Sequence, residues 1–223
     1  MFVLAAQIYA QEGKLDDVFE ALVPEAAAVK ADEEKTHAYY FFKGLEEPNT
    51  STAFGLEIYD DRHALETIHM GNESFKTFAA TASPMFSKDF LLEEFETTDI
   101  GFVTRPGYSA LQAETALPMF AYFTVAPGKR EEVLDMFRPL ATEVEATEPN
   151  CWSYVFFRAL NNPDKFVIFE RYTTLDDLNV VHRSGKTFIK VFAELEEKGL
   201  VVDRNVVLGA EARPGALGFL DRS

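Results

Sequence analysis

The chain is written twice. When Gly13-Lys14 is set against Gly128-Lys129, an offset of 115 residues, matches fall into line behind it: Val18 on Val133, Pro24 on Pro139, Ala26 on Ala141, Val29 on Val144, Glu33 on Glu148. Tyr39 then meets Tyr154, and Phe41-Phe42 meets Phe156-Phe157. Beyond a two-residue deletion the offset is 113, and Glu57, Tyr59, Leu65, His69 and Phe75 meet Glu170, Tyr172, Leu178, His182 and Phe188. An Arg-Pro-Gly closes each copy, at 105–107 and 213–215. So long a register of matches marks a duplication, and a fixed internal period constrains the fold before any local signal does. The expected division is 1–105 and 118–213 for the two copies, 106–117 for a linker, and 214–223 for a C-terminal tail.

Each copy reads as strand, helix, strand, strand, helix, strand. Residues 2–10 and 119–126 are apolar β-type runs punctuated by Gly13 and Pro127-Gly128. Leu15, Val18, Phe19, Leu22 and Ala26 then recur at helical spacing, as do Val133, Leu134, Phe137, Leu140 and Ala141. Pro24 and Pro139 sit inside that pattern and predict a kink or a break. Strands are expected at 36–44 with 52–59 and at 151–160 with 165–172, each pair a hairpin. Asp60-Asp61 and Thr173-Thr174 are suited to cap the helical segment that carries His69 or His182. The last strands are expected at 97–104 and 205–212. Copy one has the longer connection before its last strand, with Ser83-Pro84 in it.

This order leaves one face of a four-stranded sheet without helices. Tyr39, Phe41, Phe54 and Ile58, and in the second copy Tyr154, Phe156, Phe166 and Ile168, are expected to line that face. Burying four such side chains at ~25 cal/mol per Å² is worth several kcal/mol, comparable to the net stability of a domain. The expected fold class is therefore α+β, with the two copies closing into an intramolecular pseudo-dimeric barrel.

Charge and motifs exclude several functions. A formal charge of −16 with no Lys/Arg cluster argues against a nucleic-acid partner and against an anionic membrane surface. Cys151 is the only cysteine, so no internal disulfide forms and nothing speaks for secretion. The apolar N-terminus has no basic region and is interrupted by Gln7 and Gln11; a cytoplasmic protein is the expectation. The histidines at 37, 63, 69 and 182 show neither His-x3-His nor His-x-His spacing, so no metal site is expected. A Gly-rich dinucleotide loop, a P-loop and a Gly-x-Ser-x-Gly elbow are all absent.

The pattern Glu-x-Tyr-x5-Leu-x3-His-x5-Phe, present at 57–75 and again at 170–188, together with the element order, resembles the antibiotic biosynthesis monooxygenase family. That resemblance implies ferredoxin-like units that pair into α+β barrels, and activities that include cofactor-independent oxygenation of polyketide phenols, anthrones and quinols in secondary metabolism. It implies no cofactor, molecular oxygen as co-substrate and a small hydrophobic aromatic substrate as partner. O2-independent cyclases, lyases or isomerases and non-catalytic binding or stress-response barrels are the competing readings. His69 and His182 are the candidate bases, histidine being suited by a reference pKa of ~6.5. Tyr39, Tyr154, Phe75, Phe188, Trp152, Asn150 and Arg158 are candidates to hold substrate. Trp152 stands where copy one has His37, which hints that the two pockets are not equivalent. Haem-degrading relatives place a ligating histidine four residues beyond the helix Phe; here Ala79 and Phe192 stand there, so haem is not expected. Whether both pockets work, and whether fused pairs associate further, the sequence leaves open.

Overall fold

A computed structural model describes residues 1–105, 116–213 and 215–222. Most of the expected linker, residues 106–115, and Pro214 of the second Arg-Pro-Gly lie outside the described residues. The described residues group into two compact units whose borders are not those of the repeats: one comprises 1–94, 209–213 and 215–222, the other 95–105 and 116–208.

The first unit is built from strand β1 (Phe2–Tyr9), helix α1 (Leu15–Asp32), strands β2 (Thr36–Gly44) and β3 (Thr52–Tyr59), a π-helical turn (Ala64–His69) and helix α2 (Glu73–Ala82). β3 pairs antiparallel with β1 and with β2. Strand β4 (Leu91–Phe102) begins in this unit and ends in the other. In the second unit strand β5 (Leu117–Val125), helix α3 (Arg130–Thr147), strands β6 (Cys151–Ala159) and β7 (Lys165–Tyr172), a π-helical turn (Asp177–His182), helix α4 (Lys186–Glu197) and strand β8 (Val201–Ala210) repeat the order. β5 lies between β7 and β8, and β7 also pairs with β6. Both units are thus ferredoxin-like α+β arrangements with helices on one face of an antiparallel sheet.

Local expectations hold at the caps. Asp61 accepts from the Ala64 amide at 2.9 Å and Thr174 from the Asp177 amide at 3.2 Å. Neither proline ends its helix, since α1 and α3 each run 18 residues straight through Pro24 and Pro139. Their apolar faces explain why: Val18, Phe19, Leu22, Ala26 and Val29, like their counterparts on α3, are buried on both sides of the proline. Continuous burial along one face outweighs a single missing backbone donor.

Two expectations need correction. Tyr39 and Phe41 do not share a face with Phe54 and Ile58. Register sets Tyr39 beside Glu57 and Phe41 beside Gly55, whereas Phe42 sits beside Phe54. Tyr39 and Phe41 belong to the core under α1, as Tyr154, Phe156, Phe166 and Ile168 belong to the core under α3. The opposite face of the first sheet, with Tyr40, Phe42, Phe54, Leu56 and Ile58, is buried as well.

The second correction concerns the ends of the copies. Residues 214–223 are no tail. A short strand β9 (Gly218–Phe219) pairs with β2 in the first unit, and Leu217, Phe219 and Leu220 are buried there. In the second unit, residues 95–102 of β4 pair with β6. Each unit thus takes an edge segment from the other repeat. The structural equivalent of Arg105 is Arg222, not Arg213. Arg105 donates to the carbonyls of Val144, Glu145, Glu148 and Cys151. Arg222 donates to those of Val29, Lys30, Glu33 and Thr36, the matching four positions. Each guanidinium adds charge-assisted hydrogen bonds to carbonyls at and just beyond a helix C-terminus, where a cation is also favoured by the helix dipole. Gly101 and Gly218 carry positive φ, and a Cβ on either would strike the backbone of β6 or β2.

Candidate functional site

In each unit one histidine closes a π-helical turn, a helix irregularity often found at functional sites. The turn carries the ring inward, and His69 and His182 are each only 2% exposed. Three aromatic rings cage each of them. Tyr39, Tyr59 and Phe75 lie 5.4, 5.7 and 4.9 Å from His69; Tyr154, Tyr172 and Phe188 lie 5.3, 5.5 and 5.0 Å from His182. The sequence motif therefore converges on one place in each copy. A partner from the first helix completes it. His69 Nδ1 donates to Glu33 at 3.1 Å, and His182 Nδ1 donates to Glu148 at 3.1 Å. That bond leaves Nε2 as the free nitrogen of each ring.

Burial acts on the other titratable groups. Burial pushes the carboxyls of Glu57 and Glu170 up, and Tyr59 or Tyr172 donates to them at 2.6 and 2.7 Å. Burial likewise holds Tyr39, Tyr59, Tyr154 and Tyr172 well above the usual phenol range, so all four keep their protons. For His69 burial opposes the charged ring, but the Glu33 hydrogen bond and the charges of Glu57, Glu33 and Glu25 prevail and raise its pKa. Glu33 is lowered although burial acts against it, because His69, Thr36 and Asn72 hydrogen-bond its carboxylate.

Here the copies part. The first unit holds a cavity of about 430 Å³, with His69, Tyr39, Glu57 and Phe75 on its wall. The corresponding space beside His182 in the second unit is about 20 Å³. Aromatic side chains fill it. Phe123, Phe137, Phe166 and Phe192 stand where the first copy has Ile8, Leu22, Ala53 and Ala79. Phe123 stacks on Phe166 at 4.9 Å and Phe188 on Phe192 at 4.3 Å. Gly55 contributes on the first side: a Cβ there would lie 2.4 Å from the Phe41 ring, whereas Ile168 occupies the position in the second copy. The longer connection between α2 and β4 supplies the outer wall, with Phe86, Lys88 and Phe90 lining the cavity beside Leu92 of β4. Between α4 and β8 only residues 198–200 intervene.

Not every sequence candidate reaches the cavity. Trp152 sits at a bulge of β6 between Cys151 and Ser153, against the Arg171 guanidinium at 5.5 Å. Its counterpart His37 sits at the matching bulge of β2 and pairs with Asp60 at 2.5 Å. Arg158 is engaged by Glu131 at 2.8 Å, and Asn150 by Asp177 at 2.9 Å. None of these lines either histidine pocket. Sequence reasoning passed over Glu33, Glu148 and Glu25. The first two were signalled by their match in the repeat. Glu25, buried beside His69 with its Oε1 3.9 Å from Nδ1, has Leu140 as its counterpart and carried no repeat signal.

Fold and site define a class: a tandem ferredoxin-like α+β protein with a histidine in an aromatic cage, opening in the first unit on a cavity of about 430 Å³. The sequence model of the antibiotic biosynthesis monooxygenase family matches residues 119–198, within the second unit. None of the curated proteins matches the chain in sequence. Among solved structures, a proposed monooxygenase from Lactobacillus acidophilus NCFM superposes with a TM-score of 0.79 at 13% identity, covering 98% of this chain and 97% of that one. A proposed monooxygenase from Fusobacterium nucleatum subsp. nucleatum gives 0.81 at 16% identity, covering 99% and 94%. An anthrone oxidase-like protein gives 0.64 at 12% identity, covering 95% and 91%. At such identities the likeness establishes a monooxygenase-like fold and nothing finer. Among the described residues no helix is long and apolar enough to cross a membrane.

Proposed function

We propose that the first unit is a cofactor-independent oxygenase of a small planar phenol, anthrone or quinol, and that the second unit is its catalytically silent scaffold. The observation that carries this reading is the cavity of about 430 Å³ beside His69, within the usual range of small-molecule sites. Its apolar wall with a few convergent polar groups suits a flat aromatic ligand. Glu33 fixes the proton of the neutral ring on Nδ1, so Nε2 can take a proton from the substrate. Tyr39, kept protonated by burial, can donate to the enolate oxygen that forms. The carbanion passes one electron to O2, and the resulting radical and superoxide combine to a peroxide. Loss of water then leaves a carbonyl, and water carries away the second oxygen atom. A dry aromatic pocket protects the carbanion from reprotonation.

The test is oxygen uptake by chelator-treated protein with a panel of anthrones, naphthols and quinols. Uptake is expected in the parent and in His182→Ala, and to disappear in His69→Ala. Full uptake in His69→Ala would remove the base assignment. Conversion of substrate without uptake would move the site to an O2-independent isomerase or cyclase with the same base.

A further inference from the structure

We propose that Glu25, Glu33 and Nδ1 of His69 form a binding site for one first-row divalent cation, such as Co2+ or Zn2+, in the first unit. One ligand atom from each of the three lies within 4.8 Å of the others. Nδ1 stands 3.1 Å from Glu33 Oε2 and 3.9 Å from Glu25 Oε1. Ligand bonds of ~2.0–2.2 Å require neighbouring ligand atoms about 3.4 Å apart in a tetrahedral site; the two spacings to Nδ1 bracket that value, and the Glu25 and Glu33 oxygens, within 4.8 Å, would close on the ion by a small side-chain rotation. One imidazole and two carboxylates are a donor set that borderline divalent metals accept.

The second observation is the state of Glu25. Its side chain is completely buried, and neither oxygen takes part in a hydrogen bond. A buried carboxylate is ordinarily paired, hydrogen-bonded or bound to metal. Glu33 is already satisfied by Thr36 and Asn72 as well as by His69, whereas Glu25 has only the long 3.9 Å approach of the His69 ring and no hydrogen bond. The Ser74 hydroxyl is also buried without a hydrogen bond. Both residues line a cavity of about 300 Å³ between α1 and α2, which Thr77 and Glu73 also border. Of the three ligands Glu25 alone borders that cavity, and it is the side from which the cation would enter.

The second unit shows that the fold itself does not require Glu25. Leu140 takes its place on α3 and is buried in the apolar core, and the second site keeps only the Glu148–His182 pair. Two carboxylates and a neutral imidazole leave two negative charges for a dication to balance; the second site has one carboxylate and no such excess. The inference goes beyond the oxygenase reading and does not rest on it. The two states of His69 exclude each other, because a ring bound through Nδ1 keeps its proton on Nε2 and presents a donor to the cavity, not a base.

The experiment uses untagged full-length protein, stripped with chelator and titrated with Co2+ in the absence of any substrate. Visible d–d absorption reports coordination, and Zn2+ displacement reports competition. The expected result is one Co2+ per chain, displaced by Zn2+, and affinity lowered roughly 100-fold in Glu25→Leu. Glu25→Gln, which keeps the volume, is expected to weaken binding at least about tenfold. Glu148→Gln in the second unit should bind as the parent does. Circular dichroism and thermal melting establish that each variant is folded. Absence of stoichiometric binding in the parent, or undiminished binding in folded Glu25→Leu or Glu25→Gln, would overturn the site.

Discussion

The two units hold nearly the same histidine cage and almost opposite interiors. Ring distances around His69 and His182 agree within a few tenths of an ångström, and both Nδ1 atoms meet a glutamate from the preceding long helix at 3.1 Å. Yet one cavity measures about 430 Å³ and the other about 20 Å³. The difference lies in side-chain volume on a common backbone: Ala53, Ala79, Ile8 and Leu22 against four phenylalanines. After a duplication, packing constrains the cage in both copies, whereas a substrate constrains only the cavity that receives it. A copy that receives no ligand is free to convert its pocket into core, which gains buried apolar area.

The largest effect should come from the histidines. His69→Ala is expected to lower turnover by roughly 10²–10⁴-fold, the usual worth of a positioned base, with His182→Ala changing it little. Steady-state oxygen uptake measures both. A loss of similar size in the two variants would erase the distinction between the units.

Next in size is an exchange of pocket residues. Phe192→Ala, at a half-buried ring, should loosen the second core and cost about 2 kcal/mol in denaturant unfolding. Ala79→Phe should instead fill the first cavity and weaken binding of a planar aromatic, measured by fluorescence quenching or calorimetry. If Phe192→Ala proved neutral, the second interior would not be the tight core described here.

Smaller and symmetrical effects are expected at the shared edges. Arg105→Ala and Arg222→Ala should each cost roughly 1–3 kcal/mol, since each removes charge-assisted hydrogen bonds to helix-end carbonyls. Thermal melting of both variants provides the comparison.

The smallest effect concerns pH. Folded His69 binds its proton more tightly than the unfolded chain. Its contribution to stability is therefore complete below the unfolded pKa of ~6.5 and is lost as pH rises through the folded value. Glu25, raised chiefly by burial with the His69 charge opposing, also binds its proton more tightly when folded. It costs stability as pH rises from the unfolded value of ~4.3 through its folded one. In chelator-treated protein, Glu25→Leu should thus gain stability near neutral pH and lower the titration midpoint of His69. Two-dimensional NMR of the imidazole resonances follows the midpoint directly. An unmoved midpoint would mean that Glu25 carries no charge beside the ring.

Much of this was legible in the sequence. The repeat gave the copies, hydrophobic periodicity gave the elements, and the Glu-x-Tyr…His…Phe pattern named residues that do meet. What stayed hidden depended on contacts across the fold. Glu33 reaches His69 across 36 residues, a distance no local pattern reports. The doubled Arg-Pro-Gly drew the register away from a better signal, Ile-Gly-Phe-Val-Thr-Arg at 100–105 and Leu-Gly-Phe-Leu-Asp-Arg at 217–222. That pair marks the exchanged strands, the positive-φ glycines and the capping arginines together. Trp152 was misleading because a bulge between Cys151 and Ser153 interrupts the strict alternation from which a strand residue's face is read. Volume was the hardest quantity to read. Ala79 and Phe192 were visible as a difference, but only packing reveals that one residue leaves space and the other fills it.

The most direct test of the account is the number of planar aromatic ligands each chain binds, measured by calorimetry on chelator-treated protein with a non-oxidisable anthraquinone. The account predicts one site per chain, abolished by Ala79→Phe and untouched by His182→Ala. Two equivalent sites per chain, or binding that survives Ala79→Phe, would contradict it.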